Sequence, residues 1–172
     1  FIAGLLGLWA VMLLQRVLSR LVELPQQSFP DVSQIPFPTV AALLMMSAAV
    51  AGVVEETAFR GYMQGPIERR HGPVAAILVT GTLFGFAHFS HPEVTLILLP
   101  FYIAVAAVYG GLAYLTNSIL PSLAFHAGGN VFVGIGLWIG GQSEWQGAGA
   151  REPLIWQTGP DASFWISLAA FV

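Results

Sequence analysis

The chain has 172 residues, 56% of them hydrophobic and only 9% charged, with six arginines, no lysine and nine carboxylates for a formal net charge of -3. A soluble domain keeps about 25% of its residues charged to cover its surface, so this composition argues against a water-solvated exterior and for a chain embedded in a bilayer. No basic stripe exists to neutralise phosphates, which argues against a nucleic-acid partner, and the lack of cysteine excludes disulfides, thiolate metal sites and a cysteine nucleophile.

Charge-free windows at Val32–Val54, His71–Pro92 and Val94–Ser143 each supply the ~20 apolar residues that cross a membrane as helix. Taken in chain order, Phe1–Gln15 reads as the remainder of an apolar helix, with Arg16 and Arg20 placed to snorkel to the headgroups. A polar connection, Glu23–Pro38, precedes a second helix that starts near Thr39 and continues through the sequence EETAFRGYMQ. Gly65-Pro66 and Arg69–Pro73 then mark a polar turn.

Pro73–Ser90 is expected as a third helix, Val94–Leu115 as a fourth interrupted by Pro100, and Ile119–Gly140 as a fifth with Pro121 near its start. The polar, glycine-rich stretch Gly141–Pro160 carries Trp145 and Trp156 where interfacial anchors would stand, and Ala162–Val172 opens a sixth helix. The expected fold is an all-α, polytopic transmembrane bundle of about five to six helices, truncated at both ends, forming one domain over 1–172 with its motif-bearing core at 39–140. Arginine counting gives no orientation: the odd connections hold Arg16, Arg20 and Arg151, the even ones Arg60, Arg69 and Arg70.

Ionisable groups at membrane depth cost ~2.5 to 3.5 kcal/mol each even on the lenient insertion scale, so those present ask for a reason. In the cluster Glu55-Glu56-Thr57-Ala58-Phe59-Arg60, Glu56 and Arg60 stand i,i+4 and can pair, whereas Glu55 points about 100° away and is free to face the bundle interior. A carboxylate withdrawn from water suits a general base or acid; the plainer reading is a solvated helix end. His88 follows Phe84 by one turn, and His91, before Pro92, falls in a loop.

His126 and Asn130 are again i,i+4, with Gly128 and Gly129 between them to admit a neighbouring helix. An amide beside an imidazole supplies donors for a developing oxyanion, although taken singly an interhelical polar clasp is the simpler account. Together the clusters weigh more. A carboxylate and an imidazole on separate helices can polarise a water for attack on an amide carbonyl, and His126 with Asn130 can stabilise the tetrahedral oxyanion.

The order Glu-Glu-x-x-x-Arg (Glu55, Glu56, Arg60), Phe-x-x-x-His (Phe84, His88) and His-x-x-x-Asn (His126, Asn130) resembles the CPBP intramembrane proteases, which include the CAAX prenyl endopeptidases and the bacterial Abi, or bacteriocin self-immunity, proteins. The resemblance implies an integral, multi-pass membrane protease of the prokaryotic plasma membrane acting on peptide or lipidated-protein substrates. It also implies that Glu55 and His88 activate water, that His126 and Asn130 serve the oxyanion, and that Glu56, Arg60 and Phe84 support the site. The cofactor stays open. Glu55, His88 and His126 would make a two-His, one-carboxylate zinc set, yet no His-Glu-x-x-His pair is present and a separate base would be needed, which favours metal-independent chemistry. The alternatives are a non-enzymatic immunity or partner-binding protein on the same fold, and a transporter with a proton-coupling carboxylate at Glu55.

Overall fold

The computed structural model describes residues 1–25, 35–91, 94–140 and 153–172; Trp145 and Arg151, and parts of the connections that hold them, lie outside the described residues. The elements are α1 (Ile2–Leu21), α2 (Phe37–Glu56), a π-helical segment (Thr57–Gln64) that continues into α3 (Gly65–His71), α4 (Pro73–Ala87), α5 (Leu99–Thr116), α6 (Leu120–Gly140), α7 (Ile155–Thr158) and α8 (Ala162–Phe171). Short 3-10 turns at His88–Ser90 and Leu96–Leu98 close α4 and lead into α5. No strand occurs among the described residues, and the fold is the expected all-α bundle.

Among the described residues, four helical runs are long and apolar enough to cross a membrane: Ile2–Leu21, Phe37–His71, Pro73–Ser90 and Leu96–Thr116. α6 is of similar length, 21 residues, and carries no formal charge. Large apolar side chains such as Leu43, Met45, Met46, Val50 and Val54 of α2 point outward, as lipid-facing residues do, so the inside is marked by polar groups and close packing instead.

Proline starts these helices. It occupies the first turn of α2, α4 and α5, where a missing N–H costs nothing because that donor has no intrahelical acceptor, while Pro66 sits inside the continuous run from the π-helical segment into α3. Two expectations are corrected. Gly65-Pro66 does not turn the chain but opens α3, and the reversal comes at Gly72, whose φ of 82° lies in the left-handed region open to glycine. Pro100 does not interrupt a helix but begins α5, which ends at Asn117 in the left-handed cap conformation.

α5 is the central element, packed against α4, α6, α1 and the π-helical segment, while α2 pairs with α6 and α1 with α8. Its buried Phe101, Tyr102 and Ala106 join Val11, Phe84, Val94 and Leu98 in one core cluster, and Tyr109 joins Leu112 and Phe125 in another. Of the two glycines expected to admit a neighbouring helix, Gly129 faces α5, where an added Cβ would stand 3.5 Å from the Tyr109 hydroxyl, but the tighter approach lies elsewhere. Gly128 has open space beside it, whereas a Cβ on Gly52 of α2 would stand 3.0 Å from the Ala127 Cβ and 3.2 Å from its backbone nitrogen.

Arg20 does not snorkel. It is 1% exposed, its Nε donates to the Pro153 carbonyl at 2.8 Å, and its guanidinium meets the Asp161 carboxylate at 2.9 Å. Asp161 caps α8 by accepting from the Phe164 amide, and Arg16 donates to Ser163 Oγ, so polar groups fasten α1 to the start of α8. A cation that finds a carboxylate and a carbonyl inside the protein has no need of the headgroup region.

Candidate active site

The site grows from a polar stripe on an otherwise apolar helix. Glu56, Arg60 and Gln64, spaced by four, are buried where α2 passes into the π-helical segment, a rare helix form that recurs at functional sites. Arg60 Nη1 donates to Glu56 Oε1 at 2.9 Å with both side chains excluded from solvent. Its Nη2 donates to the Ala106 carbonyl at 3.0 Å, and Gln64 Nε2 donates to the Gly110 carbonyl at 2.9 Å, so two successive turns of the stripe grip two successive turns of α5.

The same Glu56 oxygen accepts from a third helix. His126 Nδ1 lies 2.8 Å from Oε1, and because a carboxylate only accepts, Nδ1 carries the proton. The ring is thereby turned so that Nε2 faces Glu55 Oε2 across 3.8 Å, too far for a direct hydrogen bond. Glu55 itself is half-buried, and its Oε2, which has no exposed surface, accepts no hydrogen bond among the described residues. One glutamate is fixed and the other is left free.

His88 reaches the same place from the end of α4. As that helix tightens into a 3-10 turn, the His88 N–H turns to the Gly85 carbonyl, and the Phe84 carbonyl accepts from His88 Nδ1 at 2.8 Å instead. A carbonyl cannot donate, so Nδ1 carries the proton of this bond. The buried Phe84 ring sits between the two histidines, with centroids 4.5 Å from His88 and 5.9 Å from His126, and the Arg60 guanidinium carbon lies 5.0 Å from the same ring. Two tyrosines of α5 lie against the imidazoles: Tyr102 stacks on His88 at 4.1 Å and Tyr109 on His126 at 5.0 Å.

Glu55, Glu56, Arg60, Phe84, His88 and His126 thus form one connected group. Asn130, a turn beyond His126 on α6, is half-buried and is not among the hydrogen bonds that join it. The zinc set that the sequence suggests is not assembled: among the described residues no three His, Asp or Glu side chains gather at ligating distance. Phe101, Tyr102 and Tyr109 of α5 are buried in helix packing, while Pro100 is exposed. Gln64 joins the site as a residue that motif reading misses. Its signal in the sequence is the spacing alone, a polar residue four beyond Arg60 continuing the stripe from Glu56.

Comparison with protein families matches residues 37–132 to the Rce1-like type II CAAX prenyl endopeptidases. The match covers more than half of the chain, from the start of α2 into α6, and the chain belongs to this family. At the level of the family it is a CAAX-type intramembrane protease, a lipid-embedded enzyme with peptide substrates. No curated protein and no solved structure matches the chain.

Proposed function

We propose that the chain is an endopeptidase of one domain, 1–172, that hydrolyses prenylated or other membrane-associated peptides with a water activated by Glu55 and His88. The observation that carries this reading is the Glu55 carboxylate: Oε2 is buried 3.8 Å from His126 Nε2 and has no hydrogen-bond partner among the described residues, while 31% of the side chain stays exposed for water to reach. Glu55 takes a proton from that water while the oxygen forms its bond to the scissile carbonyl carbon. His88, whose Nδ1 is held by the Phe84 carbonyl, orients the same water with its other ring nitrogen.

The carbonyl oxygen becomes an oxyanion as the tetrahedral intermediate forms. His126 in its protonated form donates Nε2–H to it, and Asn130 adds an amide donor from one turn away. Collapse of the intermediate breaks the C–N bond, and Glu55 returns its proton to the leaving amine. Glu56 and Arg60 touch no reacting atom; they hold His126 and tie the site to α5.

The test uses purified protein reconstituted in liposomes with fluorogenic peptides that do or do not carry a farnesyl or geranylgeranyl cysteine near the C-terminus. Cleavage of the prenylated peptide, with products identified by mass spectrometry, is the expected result. Binding without cleavage of any peptide would instead support the partner-binding alternative.

A further inference from the structure

Tyr102 and Tyr109 are seven residues apart on α5, which returns them to nearly the same face after two turns. Both are nearly fully buried, 3% and 4% exposed. Each lies close to parallel with a different imidazole: 28° between Tyr102 and His88, 18° between Tyr109 and His126. The two histidines come from the 3-10 turn that closes α4 and from α6, on different neighbours of α5, so this helix carries a ruler with two marks at the spacing of the site.

A hydrogen bond at Nδ1 fixes one atom of an imidazole but leaves the ring plane free to tilt about it; a stacked aromatic face fixes the plane. For His88 the bond is to a main-chain carbonyl, and Tyr102 supplies the plane. For His126 the bond is to Glu56, and Tyr109 supplies the plane. We propose that Tyr102 and Tyr109 are positioning residues that hold the two site imidazoles in their Nδ1–H orientation, so that both Nε2 atoms point at the reacting groups. This inference rests on the catalytic reading of His88 and His126 for its effect on rate, but its structural content stands without it.

The test compares Tyr→Phe, which keeps the stacking face, with Tyr→Leu, which removes it, at each position. In the liposome cleavage assay, Tyr102→Phe and Tyr109→Phe are expected to lose far less activity than the leucine variants, because they keep the stacking face. The leucine variants lose on the order of 10- to 100-fold in kcat, with KM unchanged, as expected for a misplaced catalytic group. Nitrogen NMR of histidine-labelled protein reads the rings directly: Nδ1–H on both residues, with Nε2–H also present on His126, in the unaltered protein and the phenylalanine variants, and mixed ring states in the leucine variants. Where a leucine variant does not fold, Tyr→Met at the same position supplies the comparison. Leucine variants with unchanged ring states and unchanged kcat overturn the proposal. Altered ring states in a protein that cleaves no peptide uphold the positioning role and sink the protease reading alone.

Discussion

Glu56 Oε1 stands 2.8 Å from His126 Nδ1, so a carboxylate with no solvent-exposed side-chain surface joins residues 70 positions apart while also receiving Arg60. That single oxygen couples α2, α6 and, through Arg60, α5.

Removing the carboxylate strands two donors in the interior. Glu56→Ala is expected to destabilise the protein by about 3 to 5 kcal/mol, the range for breaking a buried ion pair from one side. Glu56→Gln keeps one acceptor and loses less. Thermal unfolding in a fixed detergent checks both, and an unchanged Tm for Glu56→Ala would contradict the pairing.

Glycine at position 52 lets α2 lie against Ala127, the residue next to His126. Gly52→Leu is therefore expected to push α2 from α6, lowering stability by about 1 to 3 kcal/mol as overpacking does and lowering activity with it. Gly128→Ala, at the neighbour of Ala127 but with open space around the added methyl, is expected to leave the Tm unchanged. Equal effects of the two substitutions would show that the contact is misplaced.

The fastening of α1 to α8 responds to acid. The Phe164 amide, and after it Arg20, hold the Asp161 carboxyl below its ordinary value. A depressed folded-state value contributes stability that is full above the ordinary carboxylate range and is lost as pH falls through the folded-state value. Melting curves across the acid range, from neutral pH down through the carboxylate region, are expected to show a decline that Asp161→Asn flattens, with the variant already less stable at neutral pH because buried Arg20 lacks its counter-ion. A variant with an unaltered pH dependence would remove Asp161 from this role.

The membrane character, the helix order and the Glu56–Arg60 pair are legible in the sequence because each follows from local pattern: charge-free windows, prolines, i,i+4 spacing. What a sequence does not supply is any relation set by packing between helices. Arg20 looks like an anchor because its partner Asp161 is far along the chain, and Gly128 looks like the contact glycine because Gly52 sits in an unremarkable alanine-rich run. Spacing pairs His126 with Asn130, its neighbour one turn on, yet the structure bonds it to Glu56 across the bundle. Tyr102 and Tyr109 belong to no motif in one dimension and become stacking faces only once the imidazoles against them are placed.

The central claim is that Glu55 takes the proton of the attacking water, and Glu55→Gln tests it most directly because the amide keeps the side chain's size while losing its basicity. Under single-turnover conditions in liposomes, the variant is expected to bind the prenylated peptide as before and to lose cleavage by a factor on the order of 100 to 10,000, the usual contribution of a general base. It should remain monodisperse with an unchanged Tm. Cleavage by folded Glu55→Gln at the rate of the unaltered protein would contradict the account.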